Sequence, residues 1–350
     1  METHTDPQEA FHESGRQYWR RVMPWLHLLR VPGVAGSPRV LLAGFVASYV
    51  FMLFDLLTLG LTIRDRLPTL ERVLELPVNF GLSVLAPNTM MYLFLSVASG
   101  RSVTLYPFQL SAIVFVHLLG GLFISRLAAG MLTQGTSPPV DQAARFSLVK
   151  FPSLMLALAF PLLAIALLAG LASGLVLLER IPLGGPWLAG ICYGPVLLLT
   201  FFAMIVAVGL VVGWPLLVAT LATENSDGFD AWSRSFDYLR SRILPILISA
   251  GLTLMLGLAV LVLISELAER TFSFVNLLQS RLLHLPANEI AQRANATFAD
   301  GPSGFQNLWR TLGMCVIHGY ILTLYWTTVV AIYVQARLSV DRIPLDEFQT

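Results

Sequence analysis

The chain has 350 residues, 56% of them apolar and only 12% charged, with a mean hydropathy of +0.72. Soluble domains usually carry about 25% charged residues, so charge this sparse, gathered between long apolar runs, excludes an ordinary soluble globule and reads as an integral membrane protein. The net charge of +1 supplies no basic patch of the kind a nucleic-acid partner needs. Lys150 is the single lysine among 22 basic residues, a bias that fits a GC-rich genome. Cys192 and Cys315 both lie inside apolar segments. They read as packed small hydrophobes, not as a disulfide or a metal site.

Residues 1–15 form a polar, acidic tail. In RQYWRRVMPWLHLLR (16–30), Tyr18, Val22, Trp25 and Leu29 share a helical face while Arg16, Arg20 and Arg21 occupy the others. That pattern predicts a basic amphipathic helix on a membrane surface, kinked at Pro24. No apolar run leads to a small-residue cleavage site, so the first span is expected to persist as an anchor. A span needs about 20 apolar residues, and six are predicted: 40–63, 107–132, 152–177, 187–212, 243–267 and 312–336. A shorter stretch, 82–98, is interrupted by Pro87 and Asn88 and reads as interfacial or re-entrant. The domain plan is a cytoplasmic tail and interfacial helix (1–38), a transmembrane domain (39–337) and a second cytoplasmic tail (338–350).

Arginine and lysine set the orientation. With the N-terminus inside, twelve fall on cytoplasmic segments (Arg16, Arg20, Arg21, Arg30, Arg39, Arg145, Lys150, Arg234, Arg240, Arg242, Arg337 and Arg342) and nine on outer ones. Both termini are therefore expected in the cytoplasm.

The segment Gly213–Arg242 organises the chain. It closes one apolar run, crosses a polar bend and continues as an amphipathic helix with Phe229, Trp232, Phe236, Leu239 and Ile243 on one stripe. Asp230 and Arg234 form an i,i+4 pair, and Ser226 or Asp227 can cap the start. A looser copy runs from Pro138, with Val140, Ala144, Leu148 and Phe151 as its stripe and Asp141 with Arg145 matching Asp230 with Arg234. Each copy follows a descending span and precedes an ascending one, which makes a parallel internal repeat. Both are expected to lie in the cytoplasmic interface as elbows, the second turning upward near Pro245. Between Pro186 and Thr223 there is no charge. A continuous helix of that length would reach about 55 Å against a hydrocarbon core of about 30 Å. A break is therefore predicted at Gly213-Trp214-Pro215, with 214–223 at the interface or dipping back into the protein and Trp214 in the interfacial belt. The fold class is an all-α polytopic transmembrane helix bundle with amphipathic elbow helices.

The run Gly213–Arg242, with Gly120-Gly121, Arg126 and the elbow after it, resembles an uncharacterised family of bacterial multispanning inner-membrane proteins. The likeness covers residues 105–336. More loosely, apolar spans joined by interfacial elbows are similar to the membrane domain attached to some glycerophosphodiester phosphodiesterases. The resemblance implies a bacterial inner-membrane location and a topology. It implies no activity, since the catalytic domain of those enzymes is a soluble barrel for which this chain has no room.

Ionisable residues inside spans are costly, and each is a functional candidate. Asp55 falls in the first span, His117 and Arg126 in the second, His318 in the sixth. By residue count Asp55, His117 and His318 sit about 12, 15 and 9 Å below the outer boundary. They can meet as a proton relay or a metal site, or Asp55 can pair with a histidine or hydroxyl simply to hold the helices. Arg126, about 9 Å above the cytoplasmic end, can snorkel, bind a lipid phosphate or pair with Asp141. The same two roles, lipid phosphate or structural pairing, are open to Asp141, Arg145, Asp230 and Arg234. No phosphate-binding glycine loop, no nucleophile elbow and no catalytic carboxylate pair is present. Glu266 and Glu269 read as solvated, and Leu277, Leu278, Leu282, Leu283 and Leu285 suggest one more surface helix. The expectation is a protein without catalytic activity, cofactor or metal: a scaffold, assembly partner or lipid-organising subunit. Its partners would be membrane lipids and other membrane subunits or copies of itself. The alternative is a small transporter or channel using Asp55, His117 and His318. A lipid-acting enzyme with Arg126 on a phosphate is the third reading.

Overall fold

Backbone groups in lipid have no water to bond, so long apolar runs must satisfy them within helices. The computed structural model describes residues 28–62, 113–182, 184–224, 226–286, 289 and 302–340, and among them it is almost entirely helical with no strand. The elements are α1 (Val31–Ala35), α2 (Pro38–Thr62), a π-helix (Ile113–Gly120), α3 (Gly121–Thr133), α4 (Val140–Leu177), α5 (Gly185–Glu224), α6 (Gly228–Leu282) and α7 (Pro302–Val340). Five of these helices are long and apolar enough to cross a membrane, and the bent pair Leu28–Ala35 and Pro38–Val50 makes a sixth. The protein is a polytopic all-α helix bundle. Residues 1–27, the stretch 82–98 and residues 341–350 lie outside the described residues, while Leu338–Val340 of the predicted C-terminal tail belong to α7.

The first span is broken. α1 meets the following helix at 67°, and Val31, Val34 and Ala35 are buried. The break exposes carbonyls, and α7 satisfies them: Tyr320 donates to Pro32 O at 3.3 Å and Thr323 to Ala35 O at 3.1 Å. The sequence places this stretch at the end of a surface helix. It is instead packed inside, because its apolar residues can be covered once the chain bends at Gly36-Ser37.

The expected break at Gly213-Trp214-Pro215 does not occur. α5 runs through it for 40 residues, with Pro195 and Pro215 inside the helix. Residues Leu216–Thr223 and Trp214 are buried, so the inner end of α5 is core. Trp214 is 4% exposed and edge-on to Trp326, and it has no place in an interfacial belt. Small residues permit this depth: Ala219, Thr220, Ala222 and Thr223 let neighbours approach, and the threonine hydroxyls bond back to Leu216 O and Ala219 O, both at 2.8 Å.

The elbows are not separate helices either. Each is the first part of a long helix, α4 of 38 residues and α6 of 55. The second nevertheless crosses the bundle. Tyr238 packs edge-on against Tyr333, and Ser249 donates to Gln335 at 3.0 Å. Eleven residues of α6, about 16 Å, thus advance only two residues along α7, and Pro245 lies within the continuous helix. The apolar stripes are only partly buried: Leu239 is in the core, and Trp232, Phe236, Ala144 and Phe151 are half-buried. Phe229, Ile243, Val140 and Leu148 are exposed. The buried residues are Ala143 and Ser147 of α4, and Ala231, Ser235, Tyr238 and Leu239 of α6. The predicted extra surface helix around Leu277–Leu282 is the far end of α6.

Gly44 and Gly319 bring α2 and α7 into backbone contact. A Cβ at Gly319 would lie 2.6 Å from Phe45 N. Replacing Gly319 by leucine should therefore overpack the crossing at a cost of about 1–3 kcal/mol. A lower unfolding midpoint in detergent is expected for Gly319→Leu, with no change for Gly190→Leu, where nothing lies within 4 Å.

Candidate functional site

The last four carbonyls of any helix lack helical donors, and its C-terminus carries partial negative charge. α5 ends inside the protein with both deficits plus a carboxylate, Glu224, whose side chain is 4% exposed. Four other helices each send a cation to this point. Arg126 of α3 donates to Ala222 O at 2.8 Å. Lys150 of α4 donates to Ser226 O, just past the helix end, at 3.0 Å. Arg234 of α6 reaches Glu224 at 2.5 Å and Arg337 of α7 reaches it at 2.7 Å. The hydroxyl of Tyr333 donates to the same carboxylate.

Arg126 is 7% exposed, and its guanidinium stacks 4.2 Å from the Phe146 ring centroid. It neither snorkels nor pairs with Asp141; it caps α5. Among the described residues Asp141 and Arg145 form no ion pair with each other, and both are exposed. Asp230 and Arg234 do pair, at 2.9 Å, and Asp227 caps α6 by accepting from Asp230 N. Burial disfavours the charge of Arg234, but its hydrogen bond to Asp230 and the fields of Glu224 and Asp230 outweigh it, so its pKa is raised above the ordinary arginine value. A raised pKa stabilises below the unfolded value and is lost only above it. Arg234 therefore stays charged throughout the neutral range and adds no pH dependence there.

The intramembrane triad divides. His117, in the π-helix, is 1% exposed and His318, on α7, is 4% exposed. The side chain of Asp55 lies outside the described residues. α3, α5 and α7 run in the same direction: Trp326 touches Gly121 and Trp214, while Ala222 meets Arg126 and Glu224 meets Arg337. His117 precedes Gly121 by one turn and His318 precedes Trp326 by two. The histidines thus stand on adjoining helices about one turn, or about 6 Å, apart in height. No three His, Cys, Asp or Glu side chains among the described residues are grouped as metal ligands would be. Neither a family model, nor a curated protein, nor a solved structure matches the chain.

Sequence reasoning missed Glu224, Tyr333, Lys150 and Arg337 as one cluster. The available signal was Glu224 itself, the acid that ends a charge-free stretch of spanning length.

Removing one member of a buried ion pair strands its partner and costs about 3–5 kcal/mol, whereas an exposed pair contributes about 0–1 kcal/mol. Glu224→Gln should therefore lower the thermal midpoint steeply and Asp230→Asn barely at all. A double variant, Glu224→Gln with Arg337→Met, should recover part of the loss because no guanidinium is left unpaired. Melting curves of the three purified variants check this.

Proposed function

We propose that this chain is a non-catalytic integral membrane protein serving as a scaffold, assembly partner or lipid-organising subunit. One observation carries the reading. The apolar window of α5 is only 11% buried and that of α4 only 17%, against 72% for α7. Their outer halves form an arm of exposed apolar side chains, among them Phe160, Trp187, Tyr193 and Phe201, projecting from a bundle closed at the Glu224 end. The charges at that end are engaged with one another and with carbonyls, as expected of structural groups.

The repeat supports the same reading. Ala143 and Ser147 are the fourth and eighth residues of α4, and Ala231 and Ser235 are the fourth and eighth of α6. Each serine donates to its alanine's carbonyl, at 2.9 and 2.6 Å. The preceding helices end alike, with Thr133 donating to Ala129 O and Thr223 to Ala219 O, both at 2.8 Å. We read these as two copies of one unit, aligned from helix starts at Val140 and Gly228. That register differs by one residue from the match of Asp141 with Asp230. On the charge distribution we assign the Glu224 end and both termini to the cytoplasmic side of a bacterial inner membrane.

A second reading, a small transporter or channel using Asp55, His117 and His318, is favoured by the two buried histidines on adjoining helices. Native mass spectrometry after mild detergent extraction from the host separates the two. A stoichiometric membrane partner, or lipid retained along the α4–α5 arm, is expected for the scaffold. A bare monomer whose pH-dependent solute flux in liposomes is abolished by Asp55→Asn would replace it with the transporter.

A further inference from the structure

Trp326 and Ser125 are both fully buried, and neither the indole Nε1 nor the Ser125 Oγ has a hydrogen-bond partner in the protein. Buried donors and hydroxyls are paired in the large majority of cases, with protein or with water. These two lie on the same seam between α3 and α7. The Cζ2–Cε2 edge of Trp326 rests on Gly121, and Nε1 is bonded to Cε2. Ser125 lies one turn beyond Gly121 on the same face of α3, about 6 Å along the axis. The π-helix Ile113–Gly120 gives way to α-helix at Gly121, beside the same seam. Such π-turns are rare and concentrate at functional positions.

We propose that a water molecule is bound in this seam. It accepts the indole proton of Trp326 and bonds the hydroxyl of Ser125. Two to four polar partners are what a buried water requires. Glycine at 121 matters because any side chain there would collide with the indole edge. The site lies one turn from His117. On α7, His318, Trp326, Tyr333 and Arg337 fall along one side of the helix at steps of eight, seven and four residues, so the water sits on a polar line that ends at Glu224. This inference is independent of the scaffold reading.

The test is a water cross-relaxation measurement on the full chain in detergent with 15N-labelled tryptophan. The Trp326 indole resonance is the one lost in Trp326→Phe or, if that variant fails to fold, the one that survives replacement of each of the other six tryptophans in turn. A cross-peak between its Hε1 and a long-lived water is expected, and Ser125→Ala should shift the resonance and weaken the peak. Absence of the water peak in the folded protein, or a peak unchanged in Ser125→Ala, overturns the proposal. Midpoint shifts of Ser125→Ala and Trp326→Phe should also be non-additive, since each breaks the same bridge; strict additivity would count as refutation.

Discussion

The buried end of α5 is the constraint on which this structure depends. A helix that stops inside a protein leaves unpaired carbonyls and a partial negative charge, and Glu224 adds a full one. Protein groups relieve both. Arg126, Lys150, Arg234 and Arg337 come from four different helices and converge there. The carboxylate thereby ties α6 and α7 to the end of α5, while Arg126 and Lys150 tie α3 and α4 to backbone carbonyls at the same end.

Above that point the molecule is held by small residues and aromatic rings. Trp326 fills the junction of α3, α5 and α7, against Gly121 on one side and Trp214 on the other. Gly44 and Gly319 let α2 and α7 touch. In lipid, helix association gains little from the hydrophobic effect and relies on such close packing. Farther from Glu224 the small residues of α4 and α5 face open space: Gly170, Gly174, Gly190 and Gly194 have nothing near them. The same helices that are tightly packed at one end stand almost alone at the other. That gradient, more than any single residue, motivates the proposed role in holding lipid or a partner.

Much of the fold was legible in the sequence. Sparse charge and long apolar runs lead directly to a helix bundle, because lipid forbids unpaired backbone, and helices of spanning length follow from the apolar runs. The site was half legible. Asp230 with Arg234 shows as an i,i+4 pair because both partners lie on one helix. Glu224 with Arg337 joins residues more than a hundred positions apart, and no local pattern records that. Proline at 215 misled in the opposite direction. It weakens the local hydrogen-bond ladder, yet the cost of one missing bond is small beside the burial of the whole inner end of α5.

The sequence by itself determined that this is a membrane protein, that its spans are helices, and where charge is allowed along them, since each of these depends only on a residue's own transfer between water and lipid. The tertiary structure alone decided which helix faces are buried, that α1 folds inward, that Arg126 caps α5 instead of reaching the surface, and that four cations share one helix end. Those outcomes depend on which helices become neighbours, and that is set by side-chain volume and hydrogen-bond geometry between segments far apart in the chain.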